Sequence, residues 1–165
     1  MKEKIIEILK TELDPTIRFE VLEKFYHQVS SDEDINLIID ILKNDADPCV
    51  RHEAAAQLFR IEEKKNSLMK NLKRKAISVL FDRACHDEST VVRHEAIEAL
   101  GYIVENEDLN NLYAFTDSTN NDIKSTAYIA YNAAKQRIEN NLQPKELSNH
   151  LINSWKKNTV VTSFK

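Results

Sequence analysis

The sequence predicts an all-α fold: a right-handed α-α superhelix, or solenoid, of about four helix pairs plus a C-terminal capping helix. Three observations predict it. The pentapeptide Val-Arg-His-Glu-Ala occurs twice, at Val50–Ala54 and Val92–Ala96. Related segments begin at Asp14 and Asn121, so that Arg18, Arg51, Arg93 and Lys124 align, spaced 33, 42 and 31 residues apart. Periods in this range mark stacked helical repeats. The chain of 165 residues also has one Gly and three Pro, too little turn chemistry for a sheet built on tight hairpins.

Each aligned segment opens the second helix of a pair. Asp14 and Asp47 are candidate caps, and Pro15 and Pro48 suit a first helical turn. Val50, Ala54, Leu58 and Ile61 form one apolar stripe. Val92, Ala96, Ala99, Leu100 and Ile103 form the next, and Ile123, Ala127, Ala130, Ala134 and Ile138 the last. The alanines allow neighbouring helices to approach closely. The first helices of the pairs run from Lys2 to Glu12, Asp34 to Lys43, Ser67 to Ala84 and Asp108 to Thr116. The third is the longest and takes up the extra residues of the 42-residue spacing. A last helix from Pro144 to about Trp155 carries Leu147, Leu151, Ile152 and Trp155 and covers the open end of the core, as terminal repeats must. Residues 1–156 thus form one domain and 157–165 a flexible tail. The aligned Arg and Lys residues are read as a ladder, pairing with turn acids such as Asp14, Asp47 and Asp87.

Composition narrows the function classes. Hydrophobic residues make up 42% and charged residues 30%, with a net charge of −4. That balance disfavours nucleic acid, whose backbone requires a basic surface. The basic stretch Lys64, Lys65, Lys70, Lys73, Arg74 and Lys75 is read as a solvated helix face. Cys49 and Cys85 stand apart, without zinc-ribbon spacing or a disulfide framework. No apolar run approaches the ~20 residues of a membrane span, and the N-terminus lacks a signal peptide's apolar region. The expected location is the cytoplasm. Neither a glycine-rich phosphate loop nor a nucleophile elbow occurs.

The motif Asp-x-x-Val-Arg-x-x-Ala, with Ala99-Leu100-Gly101 in the third repeat, resembles the HEAT repeat family, an armadillo-like solenoid class, over roughly residues 1 to 139. It is similar in particular to the short HEAT-like repeats of phycobilisome lyase proteins and of deoxyhypusine hydroxylase. The resemblance implies the fold and leaves the function open, since one fold serves many functions.

The His-Glu pairs are the sharpest functional clue. At about 100° per residue, with Val50 at zero, the core stripe centres near 30°. His52 then falls at about 200°, away from the core, and Glu53 at about 300°, on a flank. The same holds for His94 and Glu95. Second helices usually line a solenoid's concave face, which would place His52 above His94. Helices ~8–10 Å apart let two imidazoles reach one metal through bonds of ~2.0–2.1 Å. One added glutamate makes a two-His, one-carboxylate set suited to non-haem Fe(II). Ala56 and Gly101 would leave room beside the histidines. Deoxyhypusine hydroxylase carries four His-Glu motifs that hold two irons, and His52, Glu53, His94 and Glu95 match half of that set. A homodimer would supply the other half.

The leading reading is a protein-binding scaffold whose concave face presents Phe19, Tyr26 and Phe59 beside His52 and His94. The bland account of the His-Glu pairs is helix-start chemistry, with a first-turn Glu complementing the helix dipole. Two other readings stand beside the scaffold. One is an iron-dependent oxygenase or hydroxylase using His52, Glu53, His94 and Glu95. The other is tetrapyrrole handling, implied by the resemblance to bilin lyases.

Overall fold

The structure, a computed structural model, describes residues 2–65, 70–142 and 146. Among these, helices α1 (Lys2–Thr11), α2 (Pro15–Phe25), α3 (Asp32–Asn44), α4 (Pro48–Lys65), α5 (Lys70–His86), α6 (Thr90–Ile103), α7 (Leu109–Ala114) and α8 (Asn121–Glu139) form four consecutive pairs. The expected helix from Asp108 to Thr116 is a short α7 bracketed by two 3₁₀ turns, Asn106–Asp108 and Phe115–Asp117. The extra residues of the middle spacing are shared: α4 has 18 residues and α5 has 17, against 11 in α2 and 13 in α3. Apart from Glu146, the expected helix from Pro144 to Trp155 lies outside the described residues, as does the tail 157–165. No described helix is long and apolar enough to cross a membrane.

The helices form two layers. The second helices pack in series, α2 on α4, α4 on α6 and α6 on α8, and each first helix packs on its own partner. The second layer is the more closely packed; α4 on α6 and α6 on α8 meet more extensively than α3 on α5. Its stripes are the core: Val50, Ala54, Leu58, Ile61, Val92, Ala96, Ala99, Leu100 and Ile103 are all fully buried. Each such Leu or Ile contributes roughly 1.5–3 kcal/mol by leaving water.

Gly101 lines the space beside His94, and its missing side chain has a packing role as well. A Cβ there would stand 3.0 Å from the Cα and Cβ of Ala130 and 3.1 Å from its carbonyl oxygen. The missing side chain is what lets α8 lie against α6.

Caps explain where the helices begin. Asp14 accepts from the Thr16 N–H, Asp47 from the N–H groups of Cys49 and Val50, and Asn120 from those of Asp122 and Ile123. Ser31 and Asp34 form a reciprocal capping box on α3. Helix α8 ends at Asn141, whose φ of 50° allows the Leu142 N–H to reach the Arg137 carbonyl at 2.8 Å, a Schellman closure.

The arginine ladder exists, with Asp87 as one of its acids, as expected, and Asp45 in place of Asp14 and Asp47. Asp14 and Asp47 are occupied as caps, and each rung comes from the residue six before the next arginine. Arg18 donates from Nε and Nη2 to Asp45 at 2.8 and 2.7 Å. Arg51 does the same to Asp87 at 2.9 and 2.8 Å. The Nη1 of Arg18 donates to the carbonyls of Glu12 and Leu13, and that of Arg51 to those of Asp45 and Ala46. Each arginine therefore ties its own turn to the next. Burial pushes the Asp87 carboxyl up, and Arg51 with the Ser89 N–H outweighs it, leaving the group below the ordinary carboxylate range.

The ladder stops at Arg93. Its Nη1 bonds the carbonyls of Asp87 and Glu88 and its Nη2 the Thr90 hydroxyl. Ser118 occupies the position of Asp45 and Asp87 in the next turn. The basic stretch is not simply solvated. Lys73 binds Glu62 at 3.0 Å, and Arg74 binds the buried Asp108 through two bonds of 2.7 and 3.0 Å.

Candidate functional site

The repeated His-Glu positions lie at the start of α4 and α6, on the second layer. The residue aligned with Glu always faces the preceding second helix. Glu20 is exposed because none precedes α2. Glu53 is 4% exposed and accepts from Gln57 Nε2 at 3.2 Å and Arg60 Nη1 at 2.7 Å. Gln57 donates in turn to the Leu22 carbonyl of α2. The flank that periodicity gave Glu53 is thus a buried seam.

The histidines face outward, as their angle implied, and reach forward to the next helix. His52 Nε2 lies 3.1 Å from Glu95 Oε2. His94 Nδ1 shares a hydrogen bond of 3.0 Å with the Thr126 hydroxyl, and its Nε2 is 3.6 Å from Glu98. Thr126 aligns with Glu95, so both histidines make the same diagonal step. The bond to Glu95 raises the His52 pKa above its ordinary value, opposed by burial.

Of the four expected ligands, His52 and Glu95 pair with each other, while Glu53 and His94 have partners outside the set. Glu53 turns to Gln57 and Arg60, and Glu95 turns to His52. Among the described residues, no group of three His, Cys, Asp or Glu side chains is arranged to hold a metal ion.

Of the expected contact residues, Tyr26 is only 6% exposed and belongs to the core rather than to a contact surface. Phe19 is half-buried at the α2 end. Phe59 packs against Tyr102, with ring centroids 4.2 Å apart, joining α4 to α6.

Two cavities run along the seam. One, of about 480 Å³, is lined by His52, Val91, His94, Glu95 and Asp122 among others. The second, of about 190 Å³, continues past His94 and Thr126 to Glu98, Tyr102 and Ile129. Sequence reasoning missed Glu98, Asp122, Val91 and Ile129. Glu98 was open to it, standing one helical turn after His94 on the same face. Val91 and Ile129 are exposed at 60% and 69%; they break the rule that the apolar stripe marks the core.

No curated protein matches the chain. The family described as HEAT repeats matches residues 35–132, more than half of the sequence. The chain belongs to the HEAT repeat family.

Proposed function

We propose that this chain is a binding scaffold and that the face of α4, α6 and α8 is its protein-contact surface. The observation that carries the reading is the continuous groove from His52 to Ala133. It is flanked by Val91 and Ile129, large apolar side chains left in water. HEAT repeats generally serve as protein-interaction scaffolds, and stacked repeats build extended surfaces suited to that work. The closer packing of the second layer supports placing this face on the concave side.

The test is affinity capture from the source cells with the wild-type chain and with Val91→Asp/Ile129→Asp. A protein retained by the wild type and lost by the folded double variant is expected. Retention of the same proteins by both would overturn the reading.

A second reading keeps one observation in its favour: His52, His94 and Glu95 line a single cavity. Iron held there would have to displace the proton that His52 and Glu95 share across 3.1 Å. Metal content that depends on both histidines would support it, and iron-free protein from iron-replete cells would remove it.

A further inference from the structure

The groove between α4, α6 and α8 has an uneven charge. Three carboxylates line its two cavities, Glu95 and Asp122 in the first and Glu98 in the second. Among the described residues, no Lys or Arg lines either one. The nearest cation on this face of α4, Arg60, is held by the buried Glu53 at 2.7 Å. Arg93 is turned away, into its own turn.

The carboxylates differ in how far they are committed. Glu95 is held by His52 at 3.1 Å. Glu98 has only His94 at 3.6 Å and is half-exposed. The Asp122 carboxylate has no hydrogen bond or ion pair among the described residues. Two acids are therefore free to accept a new donor, at either end of a gap bridged by His94 and Thr126. Beside them, Val91 and Ile129 offer aliphatic surface.

We propose that this groove seats a protein segment carrying a lysine or arginine next to an aliphatic residue. The cation is received by Asp122 and Glu98, with the aliphatic side chain against Val91 or Ile129. The inference rests on the reading of this face as a protein-contact surface and adds the partner's chemistry. Charge complementarity selects the occupant: phosphates of a nucleic acid would meet carboxylates, which repel them. An acidic segment would be rejected in the same way, since like charges brought together at an interface are penalised. Arginine suits the task best, because its planar fork bonds a carboxylate through two donors.

The probe is a soluble labelled peptide with two Arg-Leu steps in a Gly/Ser background, together with its Gln-Leu and Glu-Leu counterparts. Anisotropy titrations at low salt compare the three on the full chain. The arginine peptide should bind about tenfold tighter than the glutamine peptide, as two solvent-exposed ion pairs would give. Asp122→Asn with Glu98→Gln should remove most of that advantage while the helical circular dichroism stays unchanged, since both side chains are exposed. Equal binding of the arginine and glutamine peptides would overturn the proposal. So would an advantage that survives removal of the two charges. In both cases, loss of the remaining binding in Val91→Asp/Ile129→Asp would leave the contact face standing. Failure of all three peptides to bind would overturn the cation assignment as well.

Discussion

Glu53, Glu95 and Thr126 occupy one aligned position and share one orientation, toward the preceding second helix. Their partners differ because the neighbour differs. Glu53 meets Arg60 and Gln57 of its own helix, Glu95 meets His52, and Thr126 meets His94. A single sequence motif therefore supplies a seam residue, and its identity follows what the previous repeat offers. Helical angles gave the direction of His52 correctly, because direction depends only on its own helix. They could not give its partner, which depends on how far α6 is offset along α4. Gly101 shows the same limit. Read alone, it is spare room; read beside Ala130, it is the contact point of α6 and α8. Gly101→Ala gains about 1 kcal/mol of helix propensity but drives a methyl into Ala130 backbone, and overpacking costs about 1–3 kcal/mol. The variant should be less stable by about 1 kcal/mol in urea denaturation; a gain in stability would show that α8 moves freely on α6.

Between elements, the turns are joined by arginines whose partners lie six residues before the next arginine. Asp45 precedes Arg51 and Asp87 precedes Arg93 by that interval. The arginines were legible as a ladder. Of their partners, Asp87 was legible and Asp45 was not, because Asp14, Asp45, Asp47 and Asp87 all stand in cap-like turns and the sequence does not say which acid caps and which pairs. Asp45 and Asp87 bend over the N–H two residues on, which aims their remaining lone pairs at the arginine of the previous repeat. Ser118 keeps that bend, accepting from the Asn120 N–H at 3.2 Å, but carries no charge for Arg93. Ser118→Asp should complete the rung and raise stability by about 1 kcal/mol, as for a partly exposed pair. In an Arg93→Met background the gain should vanish. A gain of equal size in both backgrounds would place its origin outside the ladder.

At the scale of the whole molecule, the repeat stack was readable from spacing and stripes alone, since nearly every stripe residue is buried. The candidate face was only half readable. Its location followed from the outward histidines, whereas its lining came from Glu98, Asp122, Val91 and Ile129, which no period marks. The account holds that the repeated histidines stitch neighbouring repeats and so shape the groove a partner enters. It carries a pH dependence with a definite sign. His52 has a raised pKa, so its contribution to stability is fully present below the ordinary value of about 6.5 and is lost as pH rises through the raised one. The most direct test is an NMR titration of the His52 and His94 ring resonances, with and without ferrous iron, in the wild type and in Glu95→Gln. The account predicts that His52 titrates above its ordinary value, falls back in Glu95→Gln, and is unmoved by iron. A His52 titration indifferent to Glu95→Gln, with both rings shifting together when iron is added, would contradict it.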